Sequence, residues 1–471
     1  MKLNKRIITV MSIVCSLFLV VIIYLTVFTL FQAKDIVNSS YNQRIWEKEE
    51  KVLRGTIYDR NGTILAKSEE TDDGQKRVYP FNELYAHSIG YNSRTYGKTN
   101  LELNFNNYLL QTQSVIDVLK KKDADESNFS KGAALSLTLD HEMTKLAASL
   151  LGNSNGSVIA LNPATGETYC LYSYPTFNPN ENALIKEWDK LSESNNSPFL
   201  SRVTQGVYAP GSTFKIITSA AGIENGYKDY EMNDEGMVNI GGKELHNAGK
   251  KAYGTIGMKS AFSNSSNVYF ATLSQRLGKV KMQRSMEKFL INEKIPYDIS
   301  TKSVNFDFDG LDDVSLAATG IGQGKLQVTP VHMALSACAV ANNGVIMKPY
   351  IVQDASYQNG KTIYKFSPQA LSNAMDEKTA QTITDYMVEC VESGTGRSAR
   401  VSGITVAGKT GTAENEKKGK THAWFVGFAP AENPQIAICV MKEYSGSGGG
   451  SVCAPIASRL IKYALNNGLI D

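Results

Sequence analysis

Residues 7 to 32 are largely apolar and carry no charge, and at helical rise that stretch is long enough to cross a bilayer. A polar, charge-rich connector follows at residues 33–52, and beyond it the pattern changes to short segments of mixed period. Residues 54–66 place Asp59-Arg60-Asn61-Gly62 between β-type runs, which predicts a hairpin that any protein surface could carry. From there to about Gly132 the chain is a mixed, polar unit without a catalytic constellation. Residues 134–139 alternate as a strand, and 141–151 read as a helix presenting Met143, Leu146, Ala147 and Leu150. Strands at 156–161 and 168–172 flank the turn Asn162-Pro163-Ala164-Thr165-Gly166, and the Pro and Asn residues of 174–180 break the regular pattern. Pro210-Gly211 ends one segment, so a helix is expected to open at Ser212 and run through the apolar, Ala-rich 214–223. Strand-like runs return at 404–407, 423–428 and 436–441, Ser445 to Ser451 is expected as a flexible Gly/Ser loop, and 454–466 closes as a helix. Strands, a helical middle, then strands and a last helix predict a sheet sandwiched by helices, without internal repeats.

The chain has 471 residues, room for about two or three structural units with a large core. A net charge of +3 gives no reason to expect nucleic acid. Lys2, Lys5 and Arg6 precede the apolar run, so the positive-inside tendency places everything after residue 33 outside the cytoplasm. A cleaved signal peptide is the competing reading. The run exceeds a usual signal core and no good small-x-small site precedes Lys34, which favours a retained anchor. Cys15 makes a poor lipid attachment site, because Val14 before it is bulky and the apolar run continues past it. The six cysteines are scattered, which predicts buried thiols instead of a disulfide framework. The five histidines are dispersed too, so no His-Glu-x-x-His zinc site and no metal is implied. Lys417, Lys418 and Lys420 read as a solvated loop.

Three short motifs then appear in one order: Ser212-Thr213-Phe214-Lys215, Ser265-Ser266-Asn267 and Lys409-Thr410-Gly411-Thr412. Singly they are weak, since Ser285-Met286-Glu287-Lys288 also fits Ser-x-x-Lys, and Ser40-Tyr41-Asn42 and Ser194-Asn195-Asn196 also fit Ser-x-Asn. Together they describe a serine acyl-transfer site. Lys215 falls one helical turn after Ser212, on the same face, where its amine can reach the hydroxyl. Lysine acts as a base only when neutral, and burial beside a second cation such as Lys409 disfavours its charged form. Ser265 is placed to relay a proton to the departing amine and Asn267 to hold substrate backbone. Lys409, Thr410 and Thr412 offer a cation and hydroxyls to a terminal carboxylate, with Gly411 between them. The backbone N–H groups of Ser212 and Thr412 are the expected oxyanion hole, an effect of roughly 3–4 kcal/mol per donor.

On these motifs the chain resembles a class B penicillin-binding protein, a membrane-anchored peptidoglycan D,D-transpeptidase of the compact PbpA-type subgroup. The resemblance extends to Arg54-Gly55 through Asp59-Arg60-Asn61-Gly62 to Leu65-Ala66, to Arg202 with Thr204-Gln205-Gly206 and Tyr208-Ala209-Pro210-Gly211, to Gly322-Gln323-Gly324 with Val328-Thr329-Pro330, and to Ala423-Trp424-Phe425-Val426-Gly427-Phe428-Ala429-Pro430. It implies an α/β (α+β) penicillin-binding transpeptidase fold: a central antiparallel sheet sandwiched by helices, with an all-helical subdomain. The implied order is a cytoplasmic tail (1–6), anchor (7–32), linker (33–53), non-catalytic pedestal of the dimerisation type (54–132) and transpeptidase domain (133–471). Ser212 would attack the D-Ala-D-Ala carbonyl of a stem peptide, release D-Ala and pass the acyl group to a neighbouring amine. A β-lactam would trap it as a slow acyl-enzyme. No cofactor is implied, and the expected partner is a polytopic glycosyltransferase of the shape, elongation, division and sporulation (SEDS) type. Rival readings are a β-lactamase, countered by the anchor, the pedestal and the absence of a Glu-x-x-Leu-Asn deacylation motif after Asn267, a β-lactam sensor, and a non-catalytic scaffold for the glycosyltransferase.

Overall fold

The computed structural model describes residues 2–29, 51–72, 74–112, 130–415 and 420–470. A single helix, Lys2–Val27, begins the chain, and an 18-residue stretch within its Asn4–Val27 portion has a mean hydropathy of 2.8 with none of it buried by the rest of the protein. That is a candidate membrane span by length and composition. Most of the predicted connector, and Lys417 and Lys418 of the predicted lysine loop, lie outside the described residues.

Asp59-Arg60-Asn61-Gly62 turns a hairpin as predicted, joining Ile57–Tyr58 to Ile64–Thr71. It is no ordinary surface hairpin. The Asp59 carboxylate accepts from the N–H groups of Asn61, Thr63 and His141, which fastens the turn to the start of the helix His141–Leu151. Arg54 is 2 % exposed, and its guanidinium donates to Glu102 and to Asn106. A side chain at Gly55 would put its Cβ 1.8 Å from the Ala133 carbonyl oxygen, so the Arg-Gly pair is dictated by close packing. Ile57–Tyr58 also pairs in parallel with Ala134–Leu137, which continues to Val352–Ser356 and Thr362–Lys365. One six-stranded sheet therefore crosses residues 132 and 133, the expected boundary between pedestal and catalytic unit.

The second sheet has five antiparallel strands in the order Thr168–Tyr174, Gly156–Leu161, Ile436–Lys442, Thr421–Ala429, Ala407–Glu414. Its middle strands are buried at nearly every position, which explains their unbroken apolar runs. Val158, Phe425 and Val440 face one core with the helices His141–Leu151 and Ala454–Asn466. Ile159, Val426 and Cys439 face the other with Pro330–Ala341, a helix in which every residue is buried. Five cysteines are buried free thiols, and Cys15 lies exposed on the amino-terminal helix.

The middle of the chain is mainly helical, with Lys215–Glu224, Asn267–Lys288, Asp313–Gly320 and Glu377–Glu392 packed together. It is not all-helical, as the resemblance implied. Glu231–Asp234 pairs with Gly254–Gly257, and Met237–Ile240 pairs with Lys243–His246 around Gly241-Gly242, whose φ values are +57° and +82°. Two glycines at positive φ form the two-residue turn a hairpin prefers. The strands are only four residues long and mostly exposed or half-buried, so no apolar run announces them.

Candidate active site

Ser212 does not open the α-helix. It sits in a 3-10 turn, Gly211–Phe214, and the α-helix begins at Lys215. Gly211 has φ +55° and donates its N–H to the Gly322 carbonyl at 2.8 Å. Upstream, Tyr208 and Val328 exchange backbone hydrogen bonds, Trp424 donates to the Ala209 carbonyl, and the buried Arg202 meets Glu443 at 2.8 Å. The turn is thus clamped between the five-stranded sheet and the Gly322-Gln323-Gly324 segment. A Cβ at Gly322, where φ is +74°, would stand 2.1 Å from the Gly211 carbonyl oxygen. Gly322→Ala is expected to cost at least about 1–2 kcal/mol from the positive φ alone and to displace Ser212. A lowered melting temperature together with slower penicillin acylation per folded molecule would bear this out, and unchanged values of both would refute it.

Lys215 is fully buried, and its Nζ donates to the Ser265 carbonyl at 2.8 Å and to Asn267 Oδ1 at 2.8 Å, with Ser265 Oγ at 3.2 Å. Burial first, and the like charge of Lys409 second, hold this amine well below the usual lysine range. A neutral amine has two N–H donors and one lone pair. The two short contacts go to oxygens that only accept, so both donors are used and the lone pair is left for a hydroxyl. Ser265 Oγ, at 3.2 Å, is one such hydroxyl. Among the described residues Ser212 Oγ makes no hydrogen bond, and the side chain lines the open cleft.

Ser265 has φ +61°, and Ser266 caps the helix Asn267–Lys288 by accepting from the Tyr269 N–H. The corner aims Asn267 at Lys215. The Lys-Thr-Gly segment lies inside the edge strand Ala407–Glu414, further along the chain than the 404–407 run that suggested a strand. Strand alternation turns Thr410, Thr412 and Glu414 toward the cleft. Lys409, one residue out of phase, is fully buried, with Nζ 5.3 Å from the centre of the Phe262 ring and burial holding its pKa down. Its ammonium is the like charge that disfavours the charged form of Lys215, and Thr410 and Thr412 line the cleft beside it. The cleft, about 1180 Å³, brings together Ser212, Ser265, Asn267, Thr410 and Thr412. Ser285 and Lys288 form no second site: Ser285 is buried and Lys288 pairs with Glu224 at 3.0 Å.

The sequence reading missed two walls. Thr395, in the turn after the helix Glu377–Glu392, shares a 2.6 Å hydroxyl contact with Thr410, and Arg397 lies beside it on the cleft. The only signal was Gly394-Thr395-Gly396 at a helix end. The Gly/Ser stretch is also less free than expected: it contains a helical turn, Gly449–Val452, and a Cβ at Gly449 would lie 1.9 Å from the Trp424 carbonyl oxygen.

Known proteins are similar over the same span. The penicillin binding protein transpeptidase domain matches residues 156–462, and the penicillin binding protein A dimerisation domain matches residues 54–128. A peptidoglycan D,D-transpeptidase PbpA from Mycolicibacterium smegmatis is 30% identical, covering 94% of this chain and 95% of its own length. The D,D-transpeptidase domain of a peptidoglycan glycosyltransferase from Eggerthella lenta superposes with a TM-score of 0.81 at 31% identity, over 89% of this chain and all of that one. Penicillin-binding protein A from M. tuberculosis, as its ceftriaxone acyl-enzyme, gives 0.82 at 27% identity over 89% of this chain and 99% of that one. With the fold, the three motifs around one cleft and these matches in agreement, the chain belongs to the class B penicillin-binding proteins, the family of penicillin-binding transpeptidases.

Proposed function

We propose that this protein is a membrane-anchored D,D-transpeptidase that cross-links peptidoglycan stem peptides through an acyl-enzyme on Ser212. The observation that carries the reading is the convergence of Ser212, Ser265, Asn267, Thr410 and Thr412 on one cleft, with a buried, charge-disfavoured Lys215 beneath them. Lys215 takes the Ser212 proton as Oγ attacks the penultimate D-Ala carbonyl. The oxyanion is met by the N–H groups of Ser212 and Thr412. The proton passes from Lys215 by way of Ser265 Oγ to the nitrogen of the departing D-Ala, and the C–N bond breaks. An acceptor amine from a second stem peptide then attacks the ester, gives its proton back along the same path and regenerates Ser212. Thr410 and Thr412 hold the terminal carboxylate and Asn267 the peptide backbone.

The amino-terminal helix serves as the anchor, with the tail 1–6 in the cytoplasm and the cleft outside. A SEDS-type membrane glycosyltransferase is the partner that this arrangement suits, meeting the anchor and pedestal. In the test, penicillin is added and the intact mass followed, with the adduct located by digestion. One covalent penicillin per chain, on the peptide containing Ser212, is expected, with nitrocefin titrated and not turned over. An adduct elsewhere, or steady nitrocefin hydrolysis, would overturn the transpeptidase reading.

A further inference from the structure

We propose that Asp234 and Asn247 are positioning residues for acyl transfer: a buried carboxylate and a buried amide that hold the Ser265-Ser266-Asn267 corner against the lysine. The inference rests on the reading of Ser212 as nucleophile and Lys215 as its base. It extends that reading to two residues that carry no chemical step of their own.

Asp234 ends one of the short strands of the helical region and is fully buried. Its Oδ1 accepts from the Gly236 N–H at 2.9 Å and from Asn247 Nδ2 at 2.8 Å, and its Oδ2 accepts from Ser266 Oγ at 2.5 Å and from Asn247 Nδ2 at 2.9 Å. Asn247 Nδ2 also donates to the Lys251 carbonyl at 2.9 Å. Its Oδ1 accepts from the backbone N–H groups of Asn267 at 2.7 Å and Val268 at 3.0 Å. Both donors and both acceptor sites of that amide are in use.

The first N–H groups of an α-helix have no partner within the helix. Here Asn247 satisfies those of Asn267 and Val268, and Ser266 Oγ satisfies that of Tyr269 at 3.0 Å. The Asp234 carboxylate faces the positive end of the same helix, which stabilises an anion buried without an ion pair among the described residues. It also fixes which way the Asn247 amide points. A flipped amide would aim its NH2 at the Asn267 and Val268 N–H groups, donor against donor. Asn267, held from behind, gives one Nδ2 hydrogen to the His246 carbonyl at 3.0 Å and accepts from Lys215 at Oδ1, which leaves its second Nδ2 hydrogen for substrate. Ser265 beside it keeps a left-handed backbone that few non-glycine residues adopt. Loosening the network releases both groups that meet the catalytic amine.

Asp234→Asn tests this, since it keeps the shape and leaves one acceptor oxygen where two are needed. The rate of Ser212 acylation by a fluorescent penicillin is measured against pH, per folded molecule, beside the melting temperature. A fall of about 10- to 100-fold is expected, with the acidic limb of the profile moved to lower pH. The sign follows from charge: the Asp234 anion favours the charged form of Lys215, so its removal makes the amine easier to deprotonate, while Lys409 from the edge strand and Cys390 from the helix Glu377–Glu392 stay as they were. A rate within about twofold of wild type, or a slower rate with an unmoved limb, overturns the proposal. Should Asp234→Asn fail to fold, Asn247→Ala carries the rate criterion. A wild-type protein that penicillin never acylates removes the underlying reading of Ser212, whereas normal wild-type acylation with unaffected variants removes only the positioning role.

Discussion

Replacing Ser212 with Ala is expected to abolish the penicillin adduct, and replacing Lys215 with Met to slow its formation by about 10²–10⁴-fold, the usual weight of a general base. Met fills nearly the same buried volume without an amine, so the melting temperature should change far less than the rate. The pH profile distinguishes base chemistry from packing. In the wild type the acidic limb should lie well below the ordinary lysine range, because burial and then Lys409 disfavour the ammonium. In Lys215→Met the limb that reports Lys215 should be lost, and any limb that remains belongs to Lys409, whose own ammonium burial also disfavours. Intact-mass kinetics across pH would decide it. A Lys215→Met protein acylated as fast as wild type would remove Lys215 from the mechanism, and an adduct on Ser212→Ala would remove Ser212.

Glu102→Gln is expected to destabilise the folded protein by about 3–5 kcal/mol, the cost of leaving buried charge uncompensated. Glu102 is fully buried and accepts from Arg54 Nε at 2.5 Å, Arg77 Nε at 2.8 Å and the Tyr79 hydroxyl at 3.1 Å. Burial pushes its carboxyl up, but the two guanidinium groups outweigh burial and draw it down to about 2. A depressed carboxylate contributes its stability above the unfolded pKa, about 4.3, and loses it as pH falls toward the folded value. From about 4.3 to about 2, some 3 kcal/mol should therefore disappear in the wild type and not in Glu102→Gln. His87 and His332, both held down to about 4 by burial, act in a separate window. Their neutral forms are favoured by folding, so their contribution is lost as pH falls from about 6.5 toward 4, in wild type and variant alike. Urea unfolding at a series of pH values measures both. A variant within about 0.5 kcal/mol of wild type would mean that the arginine pair is satisfied without Glu102.

Much of the architecture was legible because it follows local rules. The hairpin at Asp59-Arg60-Asn61-Gly62, the helices His141–Leu151 and Ala454–Asn466, and the buried strands near 156–161, 423–428 and 436–441 were readable from turn chemistry and apolar period. Where the pattern was weak, the reading slipped. The helix at the nucleophile starts at Lys215 because a left-handed Gly211 and the Gly322 carbonyl hold Ser212 in a tighter turn. The Lys-Thr-Gly strand extends past its apolar run because pairing with Thr421–Ala429, not hydrophobicity, defines it. The Gly241-Gly242 hairpin escaped notice because four-residue strands of mixed burial leave no period to detect.

By itself the sequence determined which residue types stand at which spacing: a serine three residues before a lysine, a Ser-x-Asn, a Lys-Thr-Gly-Thr, and an uncharged run long enough to span a bilayer. Those are local facts, set by the chain's own order and by rise per residue. Tertiary structure alone decided that Lys409 is buried while Thr410 and Thr412 line the cleft, that Thr395 and Arg397 join the wall, and that Asn247 accepts from the Asn267 N–H with Asp234 bonded to Asn247 in turn. These groups lie tens to hundreds of residues apart, and their contacts arise only when burial of both sheet faces fixes the distances between elements, which no local pattern encodes.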